Sequence, residues 1–138
     1  MASNEPPQNA TATANLIVGP QDLASALPLV STDAFPAVLA TARMVALMEI
    51  ASARVLQPYL SVGQLSVGVR VDVTHSALTP LGAAVTATAK YLGRDGKLFD
   101  LEVVATDDGG EIGRAHHKRA LVDVERIQGG ASRRVSKA

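Results

Sequence analysis

Glu49 stands in the middle of "ATARMVALMEIASARVL", a stretch otherwise apolar or small on nearly every side. An ionised carboxylate taken out of water without a partner is costly, so Glu49 must be solvated, paired or used in chemistry. Residues one helical turn away, Ala42, Ala46, Ser52 and Ala53, are small and leave room beside it. A carboxylate reaching solvent, or pairing with Arg54, fits the same pattern, and residue types alone leave both readings open. His75 extends the odd-numbered series Val67, Val69, Val71 and Val73, which aims it at the helix side of a strand. Ser66, Gly68, Arg70, Asp72 and Thr74 then face the other way. A histidine on an apolar face is ordinarily a hydrogen-bonded core residue. Opposite a buried Glu it can form an acid–base pair in which the carboxylate orients or charges the imidazole. Thr41, at the head of the helix, is an N-cap by type, and its hydroxyl can also face a substrate. Thr41 and Glu49 are separated by roughly 12 Å of helix rise. One reaction uses both only across a substrate, a water or a second subunit.

Other clusters carry less. His116-His117 resembles a metal pair, but neighbouring strand residues face opposite sides and no third ligand accompanies them. "DDGGE" lacks the spacing of a calcium loop, and no glycine loop of the phosphate-cradling kind is present. Arg114, Lys118, Arg119, Arg133 and Arg134 suit either a solvated basic face or contacts to phosphate.

The elements that position these residues follow from periodicity. "TATANLIVG" has strand character, "PQDLASAL" suits a short helical turn, and Pro36 suits an early helical turn or a break before the long helix. Pro58 and Gly63 stop that helix. "LSVGVRVDVTH" alternates, Asp95-Gly96 marks a hairpin between "AAVTATAKYLGR" and "KLFDLEVVAT", and "TDDGGE" turns into a last strand, "IGRAHHKRALVDVERI". The order is strand, helix, then four antiparallel strands. A helix apolar nearly all round is buried nearly all round. The expected class is therefore α+β: a curved antiparallel sheet wrapped around a central helix, the hotdog fold. Its unpaired edges favour a homodimer.

Composition bounds the alternatives. A chain of 138 residues is about one domain, and its 13 basic and 13 acidic residues give no general attraction to nucleic acid or anionic membrane. With no cysteine, disulfides, thiolate metal sites and cysteine nucleophiles are excluded, and a reducing cytoplasm is the compatible setting. No apolar run is long enough to cross a bilayer, and "MASNEPPQNATATAN" lacks the features of a secretory signal. The expected organisation is a flexible arm over residues 1–11, one hotdog domain over 12–127 and a flexible basic tail over 128–138.

Three segments, "FPAVLATARMVALMEIASARVLQPYL", "VGVRVDVTHSALTP" and "EIGRAHHKRALVDVE", resemble in order and spacing the fluoroacetyl-CoA thioesterase family of hotdog acyl-CoA hydrolases. The likeness runs from Phe35 to Glu125. It implies a catalytic Thr, Glu and His at Thr41, Glu49 and His75, substrate or CoA contacts at Gly68 and Arg119, and a gate to the acyl pocket at Phe35. It further implies hydrolysis of a small or medium acyl-CoA to free acid and CoA, with no metal or cofactor, the CoA thioester being the substrate. Ile50 replaces an aromatic of the family, and Ala42-Arg43 a small-aromatic pair, so the resemblance supports thioester hydrolysis better than a fluorinated substrate and leaves the acyl group open. The alternative is a hotdog module that binds acyl-CoA without turning it over. A hotdog enoyl-CoA hydratase ranks last, because its Asp and His arrangement is absent around "VDVTHSALTP".

Overall fold

The computed structural model describes residues 5–136. Strand β1 (Thr11–Ile17) leads through two short 3-10 turns to helix α1 (Thr41–Leu56). Strands β2 (Gln64–His75), β3 (Ala84–Asp95), β4 (Leu98–Asp107) and β5 (Gly110–Asp123) follow, and helix α2 (Val124–Val135) ends the order. The five strands form one antiparallel sheet in the order β1-β3-β4-β5-β2, which leaves β1 and β2 as its edges.

The core is the concave face of this sheet against α1. Met44, Leu47, Met48, Ala51 and Val55 recur at helical spacing and are buried. The helix stops where Gln57 precedes Pro58, a position that disfavours further helix. Strands β3 and β4 alternate strictly: Val85, Ala87, Ala89 and Tyr91 on one, Phe99, Leu101, Val103 and Ala105 on the other, are all buried beneath the helix. Their hairpin turns at Gly96, whose φ of 62° is the left-handed geometry such a turn requires. Register shifts at Gly68/Arg70, Tyr91/Gly93 and Ala105/Thr106 put bulges into the sheet, and bulges bend strands.

Four expectations are corrected. Helix α1 is not buried all round: Ala42, Ile50 and Arg54 are exposed and Glu49 is partly so, which leaves one stripe open in the protomer. The arm before β1 is held in place over its described part. Pro6 is buried, Tyr91 Oη donates to Glu5 at 2.6 Å, and the Asn9 N–H bonds the Tyr91 carbonyl at 2.9 Å. The last strand stops at Asp123, whose side chain caps α2 by accepting from the Arg126 N–H at 3.0 Å. Residues 128–135, expected as tail, are therefore helical; residues 1–4 and 137–138 lie outside the described residues.

The fourth correction concerns β2. Gly68 pairs with Arg119, while Arg70 pairs with Lys118, so Val69 is an extra residue and the alternation changes sides there. After the bulge Val71, Val73 and His75 face α1, as the odd-numbered parity requires. Before it the even residues Ser66 and Gly68 do so, and Val67 turns outward.

Candidate active site

Helix α1 and strand β2 bring Thr41 and His75 together. Ala40, with extended backbone angles, is the cap residue of α1, so Thr41 is the first residue inside the helix and not its cap. Its hydroxyl is thereby left for His75, with Oγ1 at 2.8 Å from Nδ1. The other imidazole nitrogen, Nε2, is buried with no hydrogen-bond partner among the described residues. Leaving such an atom unmatched costs about 1–3 kcal/mol, a penalty that a ligand or partner group can remove.

Glu49 lies two turns along α1 and is paired, though with neither Arg54 nor His75. Arg54 donates to the Thr13 carbonyl at 2.9 Å. The partner of Glu49 is Arg119, whose Nη1 is 2.9 Å from Oε2. The guanidinium is nearly buried, its side chain 6% exposed, whereas that of Glu49 is 42% exposed. Arg119 is clamped from two further sides. Its Nε–H donates to Ser66 Oγ and its Nη2 to the Ser66 carbonyl, each at 2.9 Å, and Nη1 also reaches His117 Nε2 at 3.0 Å. The observed contacts of Arg119 thus hold the carboxylate.

Gly68 makes that placement possible. A Cβ on this residue would lie 2.7 Å from Glu49 Oε2 and 3.1 Å from His117 Cε1, so only glycine lets the carboxylate settle against the strand. The inward turn of Gly68 and Ser66 is a direct product of the bulge at Val69.

His116 and His117 do face opposite sides. His116 is exposed and bonds Asp100, while His117 is buried, with Nδ1 2.9 Å from the Arg70 carbonyl. Burial pushes the His117 imidazole below its ordinary range; the Arg70 carbonyl raises it and the charge of Arg119 lowers it further. Of the other basic candidates, Arg114 pairs with Glu111 and Glu102, and Lys118 with Asp95, all on the outer face. Phe35 is half-exposed on the connection before α1. Sequence reasoning missed Ser66 and His117; the signal for His117 was its inward parity beside Arg119.

A groove of about 460 Å³ on the outer face, lined by Asp72, Thr74, Glu102, Arg114 and His116, includes none of Thr41, Glu49 and His75. Those three side chains lie between α1 and the inner face of the sheet, where Thr41 meets His75 and Glu49 meets Arg119. A smaller, mainly apolar groove of about 280 Å³, lined by Ile50, Ala53, Arg54, Leu60, Leu65 and Ser66, likewise includes none of the three. Among the described residues no cluster of His, Asp and Glu suits a metal ion, and no helix is long and apolar enough to cross a membrane.

Comparison with known proteins agrees with this architecture. Residues 18–125 match the family of FlK, the fluoroacetyl-CoA-specific thioesterase. A fluoroacetyl-CoA thioesterase of Streptantibioticus cattleyicolor is 44% identical over 93 residues, 67% of each chain. A solved structure of the fluoroacetyl-CoA thioesterase FlK superposes with a TM-score of 0.85 at 34% identity, covering 95% of this chain and 98% of that one. A Thermus thermophilus member of the thioesterase superfamily, 23% identical over 92% of this chain and 91% of its own, has the same fold with a TM-score of 0.82. The chain belongs to the fluoroacetyl-CoA-specific thioesterase family of FlK, a family of thioester hydrolases with the hotdog fold.

Proposed function

We propose that the protein hydrolyses a small or medium acyl-CoA to the free acid and CoA, with Thr41, Glu49 and His75 as its catalytic set. The observation that carries the reading is the 2.8 Å contact between Thr41 Oγ1 and His75 Nδ1, which joins the head of α1 to the end of β2. A thioester carbonyl is a good electrophile and a thiolate a fair leaving group. Water, activated by Glu49, adds to the carbonyl carbon; alternatively Glu49 attacks first and water opens the resulting anhydride. On either route the tetrahedral adduct collapses with breakage of the C–S bond, before water enters where Glu49 attacks first; His75 delivers a proton to the departing sulfur, and Thr41 hydrogen-bonds the reacting oxygen. Heavy-oxygen label found in the Glu49 carboxylate after a single turnover, or a Glu49 acyl adduct trapped on rapid quenching, identifies direct attack by Glu49.

The Thr41–His75 pair and Glu49 are separated by roughly 12 Å along the helix, so the working protein is read as a homodimer. Support comes from β2, an edge strand on which Leu65, Val67, Val69 and Val71 are exposed beside Ile50 of α1. Light scattering checks the dimer: Val69→Asp should yield monomers with the circular dichroism of the wild type.

Activity is tested by CoA thiol release across a panel of acyl-CoAs, with Glu49→Ala and His75→Ala as controls. Release by the wild type and loss in both variants is expected. No release from any member, or full activity in both variants, would overturn the assignment. An acyl-CoA recovered unhydrolysed from the wild type after long incubation would favour the binding module.

A further inference from the structure

We propose that His117 is a positioning residue for Glu49, acting through Arg119. The inference deepens the reading above and rests on it, because it takes Glu49 as the reacting carboxylate. The Arg70 carbonyl can only accept, so the 2.9 Å contact fixes the proton of His117 on Nδ1. Nε2 is then a lone pair, and it accepts one Nη1–H of Arg119 at 3.0 Å. A guanidinium is planar, so anchoring that N–H directs the second Nη1–H to Glu49 Oε2, 2.9 Å away. Ser66 holds the far edge of the same plane through its hydroxyl and its carbonyl.

Four fixed points therefore define where the carboxylate sits: the Arg70 carbonyl, the His117 ring, Ser66 and the bare Cα of Gly68. Both elements of the clamp depend on the bulge, which turns Ser66 and Gly68 inward on the same strand that offers the Arg70 carbonyl. Glu49 is otherwise a long side chain with 42% exposure, free to sample several rotamers. A role confined to packing asks only for a ring of this volume. The two polar contacts of His117 are additional to that, and both lead toward Glu49.

The test compares His117→Phe, which keeps volume and removes both contacts, with His117→Gln, which restores an acceptor for Arg119. For the acyl-CoA turned over fastest by the wild type, His117→Phe should lower kcat by about tenfold to a hundredfold with KM little changed. His117→Gln should recover most of kcat. The double variant Glu49→Ala/His117→Phe should be no slower than Glu49→Ala alone, since the relay acts only through that carboxylate. Should His117→Phe fail to fold, Ser66→Ala takes its place, releasing one anchor of the same guanidinium with a smaller loss in kcat and the same non-additivity. Nitrogen NMR of the Arg119 guanidinium reads the relay without turnover. Resolved, slowly exchanging Nη–H signals are expected in the wild type and His117→Gln, and their collapse in His117→Phe. Wild-type kcat in His117→Phe, additive losses in the double variant, or an unchanged Arg119 spectrum would overturn the proposal. Full activity in Glu49→Ala would instead overturn the assignment of Glu49 beneath it.

Discussion

Strands β4 and β2 lie on either side of β5, and their inner faces differ in kind. On β4, Phe99, Leu101, Val103 and Ala105 are all buried under α1. On β2, no residue is buried, although Val67, Val69, Val71 and Val73 make it as apolar in sequence. Strand β5 records the transition: Ala115 belongs to the core, and His117 and Arg119 follow it on the same inner face, buried and polar. A similar apolar alternation thus builds a core inside the sheet and an open, chemically equipped side at its edge. Hydrophobic pattern specifies a face; the neighbour decides what that face is for.

The contrast can be broken deliberately, and the largest effects come from crossing its two sides. His75→Ala should cost about a hundredfold or more in thiol release while leaving the thermal midpoint near that of the wild type. Leu101→Ala, on the closed side, should do the reverse. It should destabilise the fold by about 2–5 kcal/mol in urea titration and leave kcat intact in the fraction that stays folded. Equal losses of stability in both variants would erase the distinction.

Gly68→Ala is a smaller intrusion at the boundary. Its Cβ meets Glu49 Oε2 at 2.7 Å, and displacing the carboxylate should lower kcat by roughly tenfold with little change in unfolding. Acid titration comes next. Burial holds the folded His117 imidazole below the ordinary 6.5, so in the window beneath that value the unfolded chain binds a proton that the folded chain refuses. The stability tied to a neutral His117 is therefore complete above the unfolded value and declines as pH falls through it. Urea midpoints should drop on the acid side, and His117→Gln should flatten part of that slope. The smallest effect belongs to the outer face: Lys118→Ala removes an exposed pair with Asp95 and should leave both activity and thermal midpoint unchanged.

Much of this was legible in the chain. The helical spacing of Met44, Leu47, Met48, Ala51 and Val55, the Asp95-Gly96 hairpin and the inward aim of His75 are local patterns, and the structure keeps them. The bulge at Val69 was not legible. Every odd position from Val67 to Val73 is valine, so a one-residue slip leaves no mark on the alternation. That slip hid the inward turn of Ser66 and Gly68. The true partner of Glu49 was hidden for another reason, because Arg119 is 70 residues away and strand register alone brings the two together. Helix α2 escaped notice because Gly129 and Gly130 interrupt its pattern, while the signal that starts it is the single cap at Asp123.

The central claim is that the carboxylate held on the open side does the chemistry. Glu49→Gln tests it most directly, since the amide keeps an oxygen for Arg119 and removes the charge. Thiol release from the acyl-CoA that the wild type hydrolyses fastest should fall about a hundredfold or more, with the thermal midpoint unchanged. Release at the wild-type rate from folded Glu49→Gln would contradict the account.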